Sequence, residues 1–323
     1  MDYKSGLKEK YRGLIDRLDR VQGIKVSLGE PMSLHATMRT GGPADIFLEP
    51  CSEEALIAAA EALNSKNIPW IAVGNCSNII VKDGGYRGAV ISLVPALTGI
   101  EASPAQDGAA VMKAGAGEPL SKLAAAAAAA SLTGLEFAAG IPGSVGGAVY
   151  MNAGAYGGEI KDCLTEVRCF RRDSGGQVVL SAEDARLGYR TSIFKSGEYI
   201  ILEAAFALRC GVREEIDRKT RELFERRNAR QPVELPSSGS FFKRPEGHYA
   251  GKLIEEAGMK GFSSGAAEVS PKHAGFIVNT GGATTADVLA VADAVRREVE
   301  AKSGVALEAE PVIIGEDIRE GLS

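Results

Sequence analysis

Cysteine is scarce and unpatterned in this sequence. The five that occur, Cys51, Cys76, Cys163, Cys169 and Cys210, are odd in number and include no Cys-x-x-Cys pair, so a disulfide framework is excluded and reduced thiols in a cytoplasmic protein are expected. Histidine is scarcer still. None of His35, His248 and His273 stands four residues from another, which removes the usual helical zinc site, and no metal is expected. No apolar run approaches bilayer length: the most apolar stretch, residues 123–130, is short and mostly alanine, whereas a transmembrane helix needs about 20 residues. The first residues carry Asp2, Lys4, Lys8, Glu9, Lys10 and Arg12 without the apolar core of a secretory leader, so none is expected. Charge of one sign is lacking too. The 37 Lys and Arg face 42 Asp and Glu for a net charge of −5, with no basic block, so neither nucleic acid nor a membrane is an expected partner. Aromatic residues, at 6%, are few.

What is abundant is glycine, 39 of 323 residues or about 12% against a usual ~7%. Some part of the chain needs backbone without side chains. The length suggests two or three domains at roughly 150 residues each. Leu7, Tyr11, Leu14, Ile15, Leu18 and Val21 recur at helical spacing, predicting an amphipathic helix over 5–22 inside an N-terminal segment 1–30. Residues 31–95 read as a small α+β unit with strands at 45–48, 70–73, 78–81 and 89–93 and a helix over 52–64, capped by Ser52 with Glu54 in its first turn. A second unit, 96–210, opens with a strand at 109–115 and a helix at 118–132 that has Pro119 in its first turn and stops at Gly134. Alanines 124–130 in that helix allow close backbone approach, and strands follow at 163–171, 177–180 and 199–208. The charged helix 214–230, ending before Gln231-Pro232, introduces a third, α/β unit over 211–323. There the pattern predicts a helix at 251–258, strands at 266–269 and 275–279, a long helix capped by Thr285 and closed by Gly304, and a last strand over 305–314.

Seven glycines fall in the 19 positions from 140 to 158, where the chain average gives about two. Bare backbone permits positive φ and lets successive N–H groups converge on a phosphate oxygen, so a diphosphate cradle is one reading and a set of tight turns between buried strands the other. A second loop, Val73-Gly74-Asn75-Cys76-Ser77-Asn78, with Asp83-Gly84-Gly85 soon after, could meet the same diphosphate or form a plain hairpin. The familiar nucleotide motifs fail. Gly115-Ala-Gly117 lacks the third glycine of a Rossmann fingerprint, and residues 247–253 are one short of a P-loop and lack its Ser/Thr.

Taken in order, Thr37-Met-Arg-Thr-Gly-Gly-Pro-Ala-Asp45, residues 74–78, residues 140–158, Tyr189-Arg190-Thr-Ser192, Gly239-Ser240-Phe-Phe-Lys243, Lys272-His-Ala-Gly-Phe-Ile-Val-Asn279 and Glu310 resemble the UDP-N-acetylenolpyruvoylglucosamine reductase family, flavoenzymes of peptidoglycan precursor synthesis. The resemblance spans about residues 31–316. It implies an α+β fold in which a two-part FAD-binding region of the non-Rossmann flavoprotein type, here 31–95 and 96–210, precedes a smaller α/β substrate-binding domain, 211–323. The short stretch after Tyr189-Arg190 is that of the family's shorter subtype. FAD is the implied cofactor, NADPH the co-substrate, and UDP-N-acetylglucosamine enolpyruvate the substrate, reduced to UDP-N-acetylmuramate. A cytoplasmic monomer is expected.

Residue by residue, the resemblance assigns FAD contacts to Arg39, Gly74, Asn75, Cys76, Ser77, Asn78, Gly140, Ile141, Pro142, Gly143, Ser144, Gly146, Gly147, Asn152, Gly154 and Ala155. Arg190 would steady the negative charge that builds on the substrate carboxylate, since a guanidinium makes two parallel contacts. Glu310 would donate a hydrogen bond to the same oxygens if protonated, and Ser240 would protonate C2. Tyr189, Lys243, Arg244 and Lys252 are the substrate-binding candidates, with Lys260 and Lys272 as further cations. Two departures from the family pattern are Pro311-Val312 after Glu310, where Val-Arg is usual, and Asn75-Cys76, where glycines are commoner. Outside the motifs these residues have plainer readings: Arg190 as a surface ion-pair partner, Ser240 as a turn hydroxyl, Glu310 as a solvated carboxylate, His273 as a packed ring or a ligand contact. Two other functions fit the glycine loops, an FAD-linked oxidase of a small alcohol and a nucleotide-binding regulator without turnover. Oxidation needs a base rather than a proton donor, which argues against the first.

Overall fold

Local signals set most of the elements in the computed structural model, which describes residues 3–318. The N-terminal helix is split into Tyr3–Lys10 and Arg12–Leu18 at Tyr11, whose φ of −109° and ψ of 15° leave the helical region. Leu7, Tyr11, Leu14 and Leu18 are buried, so its apolar face is the one the spacing picks out. Ser52 caps Glu53–Ser65 by accepting the Ala55 N–H at 3.2 Å. Pro119 stands before Leu120–Ala129 as its N-cap rather than within its first turn. The chain leaves that helix through Ser131 at φ 56°, ahead of the expected stop at Gly134. Thr284, not Thr285, caps Thr285–Ser303 in a reciprocal box with Asp287, and Gly304 closes the helix at φ 70°. The expected strand over 305–314 shrinks to Val312–Ile314; before it, residues 308–310 bond instead to residues 241–243, and Pro311, which has no N–H, separates the two pairings.

The chain forms two compact units. One takes in residues up to 28, 46–75 and 88–226; the other takes in 29–45, 76–87 and 227 onward, so two N-terminal segments join the C-terminal third. In the first unit, Trp70–Val73 runs parallel to Tyr86–Ser92 with Trp70 opposite Ala89. A larger antiparallel sheet follows in the order Gln177–Ser181, Leu164–Arg171, Tyr199–Cys210, Ala109–Gly115, Ile100–Ala102. Leu56, Leu63, Trp70, Ile91, Met112, Val167 and Phe206 belong to a single core. Trp70 is fixed at its edge and over one face: its Nε1–H donates to Asn64 Oδ1 at 2.7 Å, and the Arg172 guanidinium lies 4.3 Å from the ring centre.

The second unit has a separate core of Met38, Ile80, Phe241, Phe242, Ile254, Val288, Val291 and Val295. Its antiparallel sheet has the order Ser237–Ser240, Phe276–Asn279, Ala267–Val269, Ser263–Ser264. Val312–Ile314 pairs in parallel with Ile79–Val81, joining the chain's last described strand to one of its early segments.

Candidate active site

In the first unit the two glycine-bearing loops meet. Gly74 and Asn75 follow the strand Trp70–Val73, and a Cβ on Gly74 would lie 2.0 Å from Ser144 Oγ. Ser144 caps the helix Val145–Met151, accepting the Gly147 N–H at 3.3 Å. Gly146 presses on the backbone at Ala116, its Cβ position 2.8 Å from that of Ala116. The amides of Val145 and Gly146 donate to Glu118 O and Ala116 O, each at 2.8 Å, so the expected convergence of amides on a phosphate does not come from the start of this helix. Glu118 is the brace behind it, with a buried carboxylate that accepts the Gly99 N–H at 2.7 Å and pairs with Lys122 at 2.8 Å. Burial pushes that carboxyl up, but the hydrogen bonds from Lys122 and Gly99 outweigh burial and hold it below its ordinary value. Pro142 and Gly147 are exposed, and Gly74, Asn75, Ile141 and Gly143 half-exposed. Two stretches poor in side chains thus lie side by side and face solvent, an arrangement that suits an elongated phosphate-bearing cofactor.

Beyond that helix the glycines have another use. Gly154 and Ala155 pair with Glu159 and Gly158 in a tight hairpin, and a Cβ on Gly158 would strike the Phe137 ring at 2.6 Å. The tight-turn reading of the glycine surplus therefore holds for these residues. Asn152 ends the helix in the left-handed region, at φ 43° and ψ 59°. Tyr189 and Arg190 occupy a turn whose ends, Gly188 and Thr191, exchange N–H···O bonds of 3.0 and 3.2 Å. Arg190 sits at φ 53°, its guanidinium 5.3 Å from the Tyr189 ring centre and 3.5 Å from Gly154 O.

Ser240 and Glu310 lie in the second unit. Phe242 bridges Ala309 antiparallel, Glu310 N–H donates to Phe241 O at 2.9 Å and Lys243 N–H to Glu308 O at 2.8 Å, which sets Glu310 one ladder step from Ser240. Ser240 is exposed, whereas Phe241 and Phe242 turn into the core. Residues 76–78 join this cluster: Asn78 Nδ2–H donates to Glu310 O at 3.3 Å, and Cys76 O accepts the Thr37 N–H at 3.4 Å. The Thr37 hydroxyl donates to Ser237 O at 2.7 Å, and Arg39, two residues on, stands at φ 57°. Cys76 is buried, and burial pushes its thiol up to about 12. The hydroxyls of Thr40 and Ser238 are buried with no hydrogen-bond partner among the described residues.

The cationic candidates are spread out. Lys243 pairs with Glu308, Lys252 with Glu256 at 3.6 Å, Lys260 with Glu255 at 2.7 Å, and Lys272 donates to Asn228 O at 2.8 Å. Arg244 stacks over Tyr249 with its guanidinium 4.1 Å from the ring centre. His273 takes its plainer reading: burial lowers its pKa, and Nδ1 accepts the Gly275 N–H at 3.1 Å, which requires the neutral ring. Asp83-Gly84-Gly85 is corrected outright. The Asp83 carboxylate accepts the N–H groups of Thr285 and Ala286, each at 2.8 Å, at the start of Thr285–Ser303, and a Cβ on Gly85 would lie 2.0 Å from Pro43 O. The segment is a helix cap in a packed turn, not a phosphate contact. Sequence reasoning also gave no role to Asn279, whose buried amide donates to Met38 O at 3.1 Å and accepts from Gly281 and Ala283. An asparagine followed by Thr-Gly-Gly is a turn signal, but nothing in it names a partner some 240 residues away.

Comparison with known proteins decides what these motifs belong to. Residues 231–314 match the family model of the UDP-N-acetylenolpyruvoylglucosamine reductase C-terminal domain, and residues 44–181 that of an FAD binding domain. A UDP-N-acetylenolpyruvoylglucosamine reductase of Lachnoclostridium phytofermentans is 47% identical over 295 residues, covering 91% of this chain and 94% of that protein. The chain belongs to this reductase family. The Staphylococcus aureus enzyme of the same name is 44% identical over 296 residues, covering 92% and 94%. The crystal structure of the Thermus caldophilus reductase superposes with a TM-score of 0.73 at 34% identity, over 90% of this chain and 98% of that one. The match to the FAD binding domain takes in both glycine-bearing loops, the segments whose bare backbone suits such a group.

Proposed function

We propose that this reductase-family chain catalyses the NADPH-dependent, FAD-mediated reduction of UDP-N-acetylglucosamine enolpyruvate to UDP-N-acetylmuramate, in peptidoglycan precursor synthesis. The observation that carries this is 47% identity sustained over nearly the full length of both chains. We take residues 31–95 and 96–210 as the parts that hold FAD and 211–323 as the substrate domain, a layout supported by the matches over 44–181 and 231–314. Gly74 and Asn75 with residues 140–147 would hold the cofactor, and Arg39 and residues 76–78 would complete its contacts. Held there, FAD would supply the hydride chemistry, passing the hydride of NADPH to C3 of the enolpyruvyl group. Arg190 binds the substrate carboxylate through two parallel N–H···O contacts and steadies the charge that collects there. Glu310, in its protonated form, donates a hydrogen bond to those oxygens. Ser240, an exposed residue, gives its hydroxyl proton to C2 and recovers one from water. Tyr189, Lys243, Arg244 and Lys252 bind the rest of the UDP-sugar. Both substrates are charged nucleotides that do not cross a bilayer unaided, which fits action in the cytoplasm, and a monomer is the assembly we assign.

Anaerobic titration of FAD-loaded protein tests this. NADPH is expected to bleach the flavin, and the UDP-enolpyruvyl sugar then to restore its colour with one UDP-N-acetylmuramate formed per flavin. Bleaching without recovery on adding the sugar would refute the substrate assignment, and a chain that takes up no FAD would refute the reading entirely.

A further inference from the structure

Asn152 is fully buried, and both ends of its side chain are engaged within the chain. Its amide N–H groups donate to Glu159 Oε2 at 2.7 Å and to Gly188 O at 3.0 Å, and its Oδ1 accepts the Lys161 N–H at 2.9 Å. Three segments meet there: the end of the helix Val145–Met151, the hairpin of Gly154–Ala155 and Gly158–Glu159 with the residues after it, and the turn that carries Arg190. A parallel tie runs from the Ser192 hydroxyl to Tyr150 O at 2.7 Å. Gly188 is the residue that closes the Arg190 turn with Thr191, so the amide of Asn152 grips that turn at its base.

We propose that Asn152 is a positioning residue for Arg190, holding the Gly188–Thr191 turn against the end of the glycine-rich helix. The role demands this residue type. A position at φ 43° admits glycine, asparagine and aspartate readily. Of these only asparagine offers a donor to Gly188 O and Glu159 together with an acceptor for Lys161. Aspartate keeps the backbone and the acceptor but sets a second carboxylate against Glu159, and one of two such groups then holds a proton. The charged and titratable groups around it are Glu159, whose other oxygen meets Lys161 Nζ at 2.6 Å, Asp162, which accepts the Glu159 N–H, Arg190 and Tyr189 on the turn, and Tyr150 with Lys195 over its ring at 5.9 Å.

The inference rests on the assignment of Arg190 to the substrate carboxylate, so Arg190→Lys is measured alongside Asn152→Gly, Asn152→Asp and Ser192→Ala, all as full-length, FAD-loaded chains. The resemblance also offers Asn152 as an FAD contact, but its fully buried side chain is spent on Glu159, Gly188 and Lys161, so Asn152→Gly is expected to keep FAD and to reduce it with NADPH within about twofold of the parent rate, while reoxidation by the UDP-enolpyruvyl sugar slows by about 10- to 100-fold, the scale of a misplaced reacting group. Asn152→Asp is expected to regain part of that loss as pH falls through the raised pKa of the new carboxylate pair, a limb absent from Asn152→Gly and from the parent. Ser192→Ala, a milder cut of the second tie, is expected to slow the same half-reaction less. Hydrogen exchange on the full-length chain, with and without FAD, is expected to show faster exchange at residues 188–192 in each Asn152 variant. Loss of FAD, or equal slowing of both half-reactions, overturns the proposal, the former returning Asn152 to a cofactor contact. Unchanged exchange at 188–192 overturns it too. If Arg190→Lys itself reoxidises at the parent rate, it is the Arg190 assignment that fails, and the positioning role falls with it.

Discussion

Replacing Arg190 with glycine and with alanine separates backbone strain from chemistry. At φ 53° the arginine occupies a conformation that costs a residue with a Cβ about 1–2 kcal/mol. Glycine removes that cost, but the added freedom of the unfolded chain offsets about 0.5–1 kcal/mol of the gain. Both variants lose the stacking of the guanidinium on Tyr189, 5.3 Å away, worth about 0.5–1 kcal/mol at such a site. For glycine these effects nearly cancel. Alanine keeps the strain and loses the contact, so Arg190→Gly is expected to be more stable than Arg190→Ala by about 0.5–1 kcal/mol. The single tryptophan, Trp70, is buried in the core of the same unit, so its fluorescence reports that unit's urea unfolding. The difference corresponds to about 0.2–0.5 M in the midpoint at an m of about 2 kcal/mol/M. Both variants are expected to accept hydride from NADPH and to lose about 10²- to 10³-fold in flavin reoxidation by the UDP-sugar. A glycine variant less stable than the alanine one refutes the strain argument. A glycine variant that turns over at the parent rate removes Arg190 from the site.

Three further outcomes are expected. Ser240→Ala leaves flavin reduction intact and slows reoxidation by about 10²- to 10⁴-fold; equal loss in both half-reactions contradicts a proton donor. Asp83→Ala removes two charge-assisted bonds of 2.8 Å from Thr285–Ser303 while the Thr284–Asp287 box stays, at about 1.5–3 kcal/mol; hydrogen exchange along that helix measures it, and unchanged protection refutes the capping role. Burial pushes the thiols of Cys76, Cys163 and Cys169 up to about 12, while Cys51 and Cys210 are exposed. A thiol reagent at pH 8 is therefore expected to count two cysteines in the native chain and five after unfolding. Because these folded-state values lie above the ordinary value of 9.0, the three thiols stabilise the fold below pH 9 and the contribution is lost as pH rises toward about 12. Rapid labelling of Cys76 in folded protein contradicts its burial.

Elements governed by local chemistry were legible from the sequence. Ser52 and Gly304 each announce a boundary within a few residues of themselves. The strand Ile24–Pro31 was missed although its signal is present: Ile24, Val26 and Leu28 alternate with Lys25, Ser27 and Gly29, and all three pack against the core. The candidate site was legible as motifs but not as supports. Glu118, Asp83 and Asn279 act on backbone groups distant in sequence, and a side chain that satisfies a remote carbonyl or amide leaves no mark in its own neighbourhood. The same limit explains the reading of Asp83-Gly84-Gly85. Its composition is that of a phosphate loop and also that of a packed turn, and only the direction of the Asp83 carboxylate separates them.

Strain falls on several of the residues proposed to bind cofactor or substrate. Among the described residues nine non-glycine positions have positive φ, and four of them, Arg39, Cys76, Asn152 and Arg190, are residues that the family resemblance offers for those roles. Asparagine tolerates that region through local hydrogen bonding, but the other three carry about 1–2 kcal/mol each, which persists only where neighbours hold the backbone in place. Each has such a holder: Met38 O, just before Arg39, accepts from Asn279; Cys76 O accepts from Thr37; and the Arg190 turn is gripped at Gly188 by Asn152. Glycine would relax all three positions, and this chain uses glycine freely elsewhere. A side chain retained at such a point is there for what its far end does. For Arg39 and Arg190 that end is a guanidinium able to meet an anion. The Cys76 thiol is buried and held neutral, so of the three it is the one whose replacement by glycine the physical argument leaves least to oppose.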